Sequence, residues 1–244
     1  MTNELINEHV VNASLLDTKS KLGLVGSVIC MQDNMCEFFE KNGADGLTML
    51  PICNAFFVIT KTLIKFNEYA SWLDKIKIKT NVAKKSNIRV TLSNNIYLND
   101  KVIVCGIQEM CAVDGDSRKL RTVHSTLFPK DICESGLENN ELAFTKFAEE
   151  LTDEDFVKTI KVDLSHLDFY KHTNNVECVK FCLSTLPLDI YENNEIDTFE
   201  IHYINQTVLG DEINIFRKMN DKKVYFELKL TDGTVVTKSM ITIK

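Results

Sequence analysis

The segment SHLDFYKHTNN, residues 165–175, combines the side chains best suited to chemistry in this sequence. Asp168 lies four residues before His172, and both precede an apolar segment with helical character. A carboxylate can act as a general base, an imidazole can carry a proton, and the N–H groups at the start of a helix can stabilise an oxyanion. These are three parts of an acyl-transfer site. A structural interpretation also stays open, in which Asp168 or Asn174 caps the helix and His172 is an ordinary boundary residue.

The eight cysteines fit buried, reduced thiols better than a metal or disulfide site. None forms a C-x-x-C pair, and most lie inside apolar runs, so we expect neither a zinc site nor a disulfide framework. Cys178 is a weaker alternative nucleophile, because its spacing of six residues from His172 does not match a helical repeat well. Phosphate-binding glycine motifs are absent, and we expect no cofactor.

Two apolar segments predict the helices that position these residues. The first covers residues 28–40, and the second covers residues 174–186 and stops at Pro187, which cannot continue a helix. Their narrow polar stripes indicate that both helices are buried. Residues 65–78 align without gaps with residues 202–215, which indicates an internal repeat.

Alternating apolar residues predict several strands after each helix. The expected strands are 88–98, 101–113 and 119–128 in the first half, and 222–230 and 234–243 in the second. Asp232-Gly233 between two such runs predicts a hairpin turn. We therefore expect an α+β fold in which a curved antiparallel sheet wraps a central apolar helix, and in which this arrangement occurs twice.

An acidic segment between the two halves marks the expected domain boundary. Within residues 131–156, Leu142, Phe144, Phe147 and Leu151 recur at helical spacing, which predicts a short amphipathic helix. The expected organisation is an N-terminal domain at 1–135, a linker helix at 136–156 and a C-terminal domain at 157–244.

The order of elements and the string D-x-x-x-H-x-N-N at the second helix resemble the acyl-ACP thioesterase family. That resemblance implies two fused hot-dog domains and hydrolysis of the thioester between a fatty acyl chain and acyl carrier protein. The family's D-x-N-x-H-V-N-N motif maps onto residues 168–175. The resemblance implies catalytic roles for Asp168 and His172, and a carbonyl held at the helix start near Thr173, Asn174 and Asn175.

Two positions depart from the family's pattern. Tyr170 stands where the family usually has Asn, and Gln206 stands where it usually has Glu. Glutamine can orient a water molecule or a carbonyl but cannot accept a proton at neutral pH. Base chemistry would then rest on Asp168, with Tyr170 and Gln206 as positioning groups. Two alternatives stay open: an acyl-thioester-binding protein with weak or no hydrolysis, and an acyl-CoA thioesterase.

Charge and composition narrow the expected partners. The net charge of −7 argues against a nucleic-acid partner, and the apolar runs are too short for a membrane span. Without an export signal, a cytoplasmic location is expected. The acidic carrier protein implied by the resemblance would need a basic surface, and the lysine-rich span that contains Lys84 and Lys85 is the candidate. Phe56 and Phe57 are expected to line the acyl chain, and a homodimer is left open.

Overall fold

A computed structural model describes residues 1–137 and 142–244. The chain divides into two compact units, Met1–Ala143 and Phe144–Lys244, here called unit 1 and unit 2. Each unit is an antiparallel five-stranded sheet with helices, which confirms the predicted α+β class and the predicted pairing of a sheet with an apolar helix. Within the described residues, no helix is long and apolar enough to cross a membrane.

Unit 1 contains five strands in the sheet order β1-β3-β4-β5-β2. Its elements are β1 (Glu4–Val10), α1 (Leu24–Lys41), α2 (Gly46–Cys53), β2 (Ala55–Phe66), β3 (Lys75–Lys85), β4 (Arg89–Leu98) and β5 (Lys101–Asp114). Helix α1 buries Leu24, Val28, Met31, Met35 and Phe38, spaced by three or four residues, so one face of the helix is apolar. This face packs on the sheet and forms the core of the unit.

Unit 2 repeats this arrangement in the sheet order β7-β10-β9-β8-β6. Its elements are β6 (Phe156–Lys161), α3 (Asn175–Leu183), α4 (Leu188–Asn193), β7 (Ile196–Tyr203), β8 (Glu212–Asn220), β9 (Lys223–Leu230) and β10 (Val235–Ile243). Helix α3 ends before Pro187, as predicted, and buries Val176, Val179 and Phe181. The predicted hairpin at Asp232-Gly233 joins β9 to β10, with Gly233 at a φ of 88°.

The internal repeat predicted from the sequence is present in the hydrogen bonding. The turn before β3 and the turn before β8 are each held by an aspartate, whose Oδ2 accepts a backbone N–H three residues earlier. The two bonds are Ser71 to Asp74 at 2.7 Å and Val208 to Asp211 at 2.8 Å. These residues belong to the gapless match of 65–78 with 202–215. The two units therefore offer equivalent positions that can be compared residue by residue.

The linker helix predicted within residues 136–156 is wrong where the structure describes it. Residues 142–152 have no regular secondary structure, and a single 3₁₀ turn follows at Asp153–Asp155; residues 138–141 lie outside the described residues. Phe144, Phe147 and Leu151 instead lie half-buried along an irregular segment. Their contacts with the rest of unit 2 replace the helical packing that the spacing predicted.

The strand predicted at residues 119–128 is also wrong. Only an isolated bridge between Val113 and Leu120 extends β5 in this direction, and a 3₁₀ turn follows at Val123–Ser125. Val123 and Phe128 are nevertheless buried, so the apolar residues that suggested a strand serve the core from an irregular segment. Burial alone does not require a regular strand.

Candidate functional site

Asp168 begins a tight loop, residues 168–172, that leads into α3. Its Oδ1 accepts the backbone N–H of Tyr170 at 2.8 Å and that of His172 at 3.1 Å. Its own N–H donates to the carbonyl of His172 at 2.8 Å. Lys171 closes the loop with a φ of 65°, in the left-handed region. The structure thus brings Asp168, Tyr170 and His172 together through the backbone, and the carboxylate is fixed by one of its two oxygens.

Unit 1 contains the same loop at residues 17–21, before α1. Asp17 Oδ1 accepts the N–H groups of Lys19 at 2.9 Å and Lys21 at 3.1 Å, and the Asp17 N–H donates to the Lys21 carbonyl at 2.9 Å. Ser20 takes the left-handed position with a φ of 57°. Asp17 therefore holds a loop without the imidazole that follows Asp168. The hydrogen bonds of Asp168 are part of the fold, whatever chemistry it also performs.

The start of α3 is built from polar side chains. Asn174 is the N-cap, and its Oδ1 accepts the N–H of Val176 at 2.9 Å. The carbonyl of Asn175 accepts the hydroxyl of Tyr203 on β7 at 3.4 Å. Thr173 is bound to the segment after β7, since its N–H donates to the Thr207 carbonyl at 2.9 Å. These contacts place the α3 start against the segment that carries Gln206.

The two residues that depart from the family's pattern lie near this helix start. Gln206 is exposed in the irregular segment directly before Thr207. Tyr170 is half-buried, and its ring lies 4.2 Å from the ring of Phe169, centroid to centroid. Neither side chain has the chemistry of the Asn or Glu that the family pattern leads one to expect.

Cys178 is a poor nucleophile in this structure. It is buried on α3, and burial raises the pKa of its thiol above the ordinary value. Because the thiolate is the nucleophilic form, the raised pKa argues against the alternative in which Cys178 attacks a substrate. Among the described residues, no group of three His, Cys, Asp or Glu side chains could hold a metal ion.

Phe56 and Phe57 point to opposite faces of β2, because neighbouring residues of a strand alternate. Phe57 packs 5.0 Å from Phe39 of α1 and 5.6 Å from Phe128, ring centroid to ring centroid. The Phe56 ring is instead covered by the Arg118 guanidinium at 5.0 Å. Of the two, Phe57 belongs to the aromatic cluster on the α1 side of the sheet.

A carboxylate–imidazole pair on β7 was not anticipated from the sequence. Glu200 is 2% exposed, and its Oε1 lies 2.7 Å from Nε2 of His202. The same carboxylate accepts the N–H of Thr145 at 2.9 Å and its hydroxyl at 2.7 Å. The Phe147 ring lies 4.5 Å from the His202 ring. The E-x-H spacing on a strand does place both side chains on one face, but the segment that covers them could not be read from the sequence.

Residues 144–151, here called the strap, are held on unit 2 by these contacts. At the other end of the strap, Glu149 forms an ion pair of 2.7 Å with Lys218 of β8. His202 therefore faces the strap. Its partners are Glu200 and the Phe147 ring, and neither belongs to the Asp168 loop.

The lysine-rich span is less basic than its sequence suggests. β1 pairs with β3 and brings Glu4 and Glu8 beside the lysines. Lys77 pairs with Asp100 at 2.9 Å and Lys79 pairs with Glu4 at 3.2 Å. The hydrogen bond from Lys77 to Asp100 and the charge of Asp100 raise the pKa of Lys77. Lys84 is exposed near the end of β3.

Comparison with known proteins gives one family match and a consistent set of structures. Residues 149–243 match the model of the acyl-ACP thioesterase C-terminal domain. This match confirms, for the second half of the chain, the resemblance stated from the sequence. A search of curated proteins finds no significant match.

Two solved structures show the fold of the whole chain. An acyl-ACP thioesterase from Bacteroides thetaiotaomicron has a TM-score of 0.88 at 18% identity, covering 99% of this chain and 98% of that one. A 12:0-ACP thioesterase from Umbellularia californica has a TM-score of 0.85 at 13% identity, covering 100% and 98%. At these identities the likeness shows the fold alone, which is a hot-dog fold.

Proposed function

We propose that this protein is an acyl-ACP thioesterase, which hydrolyses the thioester that joins a fatty acyl chain to acyl carrier protein, at the start of α3. The observation that carries the proposal is the Asp168 carboxylate, fixed at Oδ1 by two backbone N–H groups in the loop directly before that helix. Oδ2 of the same carboxylate is the atom assigned to chemistry. The family match of residues 149–243 includes this loop.

In the proposed mechanism, Oδ2 of Asp168 takes a proton from a water molecule, and the resulting hydroxide attacks the thioester carbonyl carbon. The backbone N–H of Asn175 stabilises the oxyanion, since the N–H groups of Thr173 and Asn174 already donate to the carbonyls of Thr207 and His166 at 2.9 Å each. The C–S bond then breaks, and the thiolate receives a proton from the protonated Asp168, with His172 supporting the transfer. Products are a free fatty acid and the carrier thiol. A direct attack by Asp168 on the carbonyl is the variant of this scheme.

Gln206 and Tyr170 favour a slowed enzyme over one with the family's full set of groups. Gln206 can orient water through its amide but cannot share the proton transfer. This observation supports the second candidate function, an acyl-thioester-binding protein with weak or no hydrolysis. Acyl-CoA as the substrate is the other alternative, and the carrier-linked and CoA-linked substrates share the bond that is broken.

The remaining parts of the proposal concern the acyl chain, the partner and the location. We assign Phe57, with Phe39 and Phe128, to contacts with the acyl chain, and keep Phe56 as a neighbouring candidate. An acidic carrier protein is the proposed partner, and homodimer formation stays open. The cysteines form no disulfide bond within the described residues, which supports a cytoplasmic location.

The test is hydrolysis of a series of acyl-ACP and acyl-CoA substrates by the wild type, Asp168→Asn and Asp17→Asn. Asparagine keeps an oxygen that can accept the two N–H bonds, so both variants should fold with nearly unchanged stability. We expect Asp168→Asn to lower kcat about 100-fold or more, and Asp17→Asn to leave it within about twofold. Asp17 is the matched control because it makes the same hydrogen bonds in unit 1.

Three results would decide against parts of this proposal. Unchanged hydrolysis in Asp168→Asn would remove Asp168 from the mechanism. An equal loss in both variants would show that the loops act only through the fold. A wild type that binds acyl-ACP but does not hydrolyse it would support the second candidate function.

A further inference from the structure

Thr207 and Thr173 form a hydroxyl pair beside the candidate site, in which Thr207 is buried and Thr173 is half-buried. The Thr207 hydroxyl donates to the Thr173 hydroxyl at 2.6 Å, and Thr207 is only 2% exposed. The Thr173 hydroxyl in turn lies 3.5 Å from the Thr207 carbonyl. A hydroxyl removed from water is costly unless it is hydrogen-bonded, and here the two hydroxyls satisfy one another.

Unit 1 shows that the fold does not require this pair. The equivalent positions are Leu22, which follows the Asp17 loop, and Ala70, which precedes the turn before β3. Leu22 donates its N–H to the Ala70 carbonyl at 2.9 Å, the same backbone bond that joins Thr173 to Thr207. Both unit 1 side chains are apolar and buried. The backbone connection is thus common to both units, and the side-chain hydrogen bond is an addition in unit 2.

The pair joins the two segments that carry the candidate catalytic residues. Thr173 directly follows His172 and precedes the N-cap Asn174, while Thr207 directly follows Gln206. A second polar contact, from the Tyr203 hydroxyl to the Asn175 carbonyl, also has an apolar counterpart in unit 1, since Phe66 occupies the equivalent position. The polar additions of unit 2 therefore concentrate where the two segments meet.

We propose that Thr207 is a positioning residue for thioester hydrolysis, acting through Thr173. Its hydroxyl fixes the Gln206 segment against the segment that contains His172 and Asn174. The groups proposed to position the attacking water and the thioester carbonyl then keep a fixed distance from each other. This inference rests on the proposed function. A small displacement of a catalytic group can lower kcat strongly while leaving substrate binding intact.

The test compares Thr207→Val, Thr207→Ser and the control Thr185→Val in steady-state hydrolysis of acyl-ACP. Valine keeps the shape of threonine and removes the hydroxyl, whereas serine keeps the hydroxyl. Thr185 is a buried threonine at the other end of α3, and its hydroxyl donates to the Cys182 carbonyl at 2.7 Å. It therefore reports the cost of losing a buried hydroxyl bond in the same unit.

For Thr207→Val we expect kcat to fall about 10- to 100-fold with KM within about twofold. Thr207→Ser should stay within about threefold of the wild type, as should Thr185→Val. Because the two threonines act as a pair, Thr173→Val/Thr207→Val should lose no more than about twice what Thr207→Val loses alone. Thermal unfolding of each variant shows whether it is folded at the assay temperature.

Three outcomes would overturn the inference while leaving the proposed function in place. The first is a kcat for Thr207→Val within about twofold of the wild type, and the second is an equal loss in Thr207→Val and Thr185→Val. Loss of activity in Thr207→Ser as large as in Thr207→Val would also contradict it, because the hydroxyl would then not be the cause. A wild type without hydrolysis overturns both the proposed function and the inference.

Discussion

At the scale of single residues, the duplicated fold separates structural roles from chemical ones. Asp168 and Asp17 make the same hydrogen bonds, so an aspartate at this position is explained by the loop alone. The residues that differ between the units at equivalent positions are His172 against Lys21, Thr173 against Leu22 and Thr207 against Ala70. These differences, more than the shared aspartate, mark unit 2 as the unit with the candidate site.

Gln206 gives the sharpest prediction at this scale. Replacing Gln206 with Glu should raise kcat for acyl-ACP about tenfold or more, because a carboxylate beside the α3 start can accept a proton that the amide cannot. Gln206 is exposed, so the new charge costs no burial and should change stability by less than about 0.5 kcal/mol. The gain should be lost as pH falls through the ordinary Glu pKa of about 4.3.

The control for this prediction is Gln206→Asn, which shortens the side chain and keeps the amide. It should not reproduce the gain in kcat. A pH–rate profile of Gln206→Glu that matches the wild type, with unchanged kcat, would show that position 206 does not reach the reacting groups.

The sequence was enough to propose which residues form the candidate site, but it showed only part of their geometry. Asp168, His172 and Asn174 were recognisable because their order before an apolar helix is a sequence property. The hydrogen bonds of Asp168 with the N–H groups of Tyr170 and His172 were not, since they depend on the left-handed Lys171. The Thr173–Thr207 pair joins residues 34 positions apart, and a single sequence does not show such contacts.

At the scale of elements, the regular patterns were predictable and the irregular packing was not. Apolar spacing located α1 and α3, and alternating apolar residues located β4 and β5. The segment of residues 142–151 has helical spacing as well, yet it lies irregularly on unit 2, because Glu200 and His202 offer it hydrogen bonds and an aromatic contact. In this segment, tertiary contacts override the local preference for a helix. The predicted domain boundaries around it stay a prediction.

The strap supplies a prediction at this scale. Thr145→Val removes the hydroxyl that donates to the buried Glu200 carboxylate at 2.7 Å, leaving that oxygen without this donor. We expect the free energy of local opening of residues 144–151 to fall by about 1.5–3 kcal/mol, the usual value of a hydrogen bond to a charged group. Native-state hydrogen exchange, with the Thr145 amide as the reporter, measures this change.

Thr152→Val is the matched control for the strap. The Thr152 hydroxyl lies 3.4 Å from the half-buried Asp155 carboxylate, and both residues lie outside the strap, so its loss should change exchange in residues 144–151 little. Equal acceleration by both variants would mean that Glu200 does not hold the strap through Thr145. Faster exchange across all of unit 2 would mean that the pair stabilises the unit as a whole.

At the scale of the whole molecule, an acidic carrier protein can bind this acidic chain only at a surface that is locally basic. The net charge is −7, and β1 places Glu4 and Glu8 beside the lysines of β3. Lys77 and Lys79 already have acidic partners, and the Lys85 ammonium donates to the Lys130 carbonyl at 2.6 Å. Exposed Lys84 is therefore the lysine of this span chosen to test carrier recognition.

Lys84→Glu should lower kcat/KM for acyl-ACP about five- to tenfold at low salt, because charge complementarity mainly changes the association rate. The loss should shrink at about 0.5 M salt, where the screening length is only a few ångströms. Hydrolysis of a small, uncharged thioester should not change, and neither should the activity of Lys222→Glu, which makes the same change at an exposed position of unit 2. Steady-state kinetics with both substrates at two salt concentrations measure these effects. An equal loss of kcat/KM for the carrier-linked and the small thioester would mean that Lys84 acts on the fold or on the chemical step. An equal loss of kcat/KM in Lys222→Glu would mean that only the net charge of the protein matters.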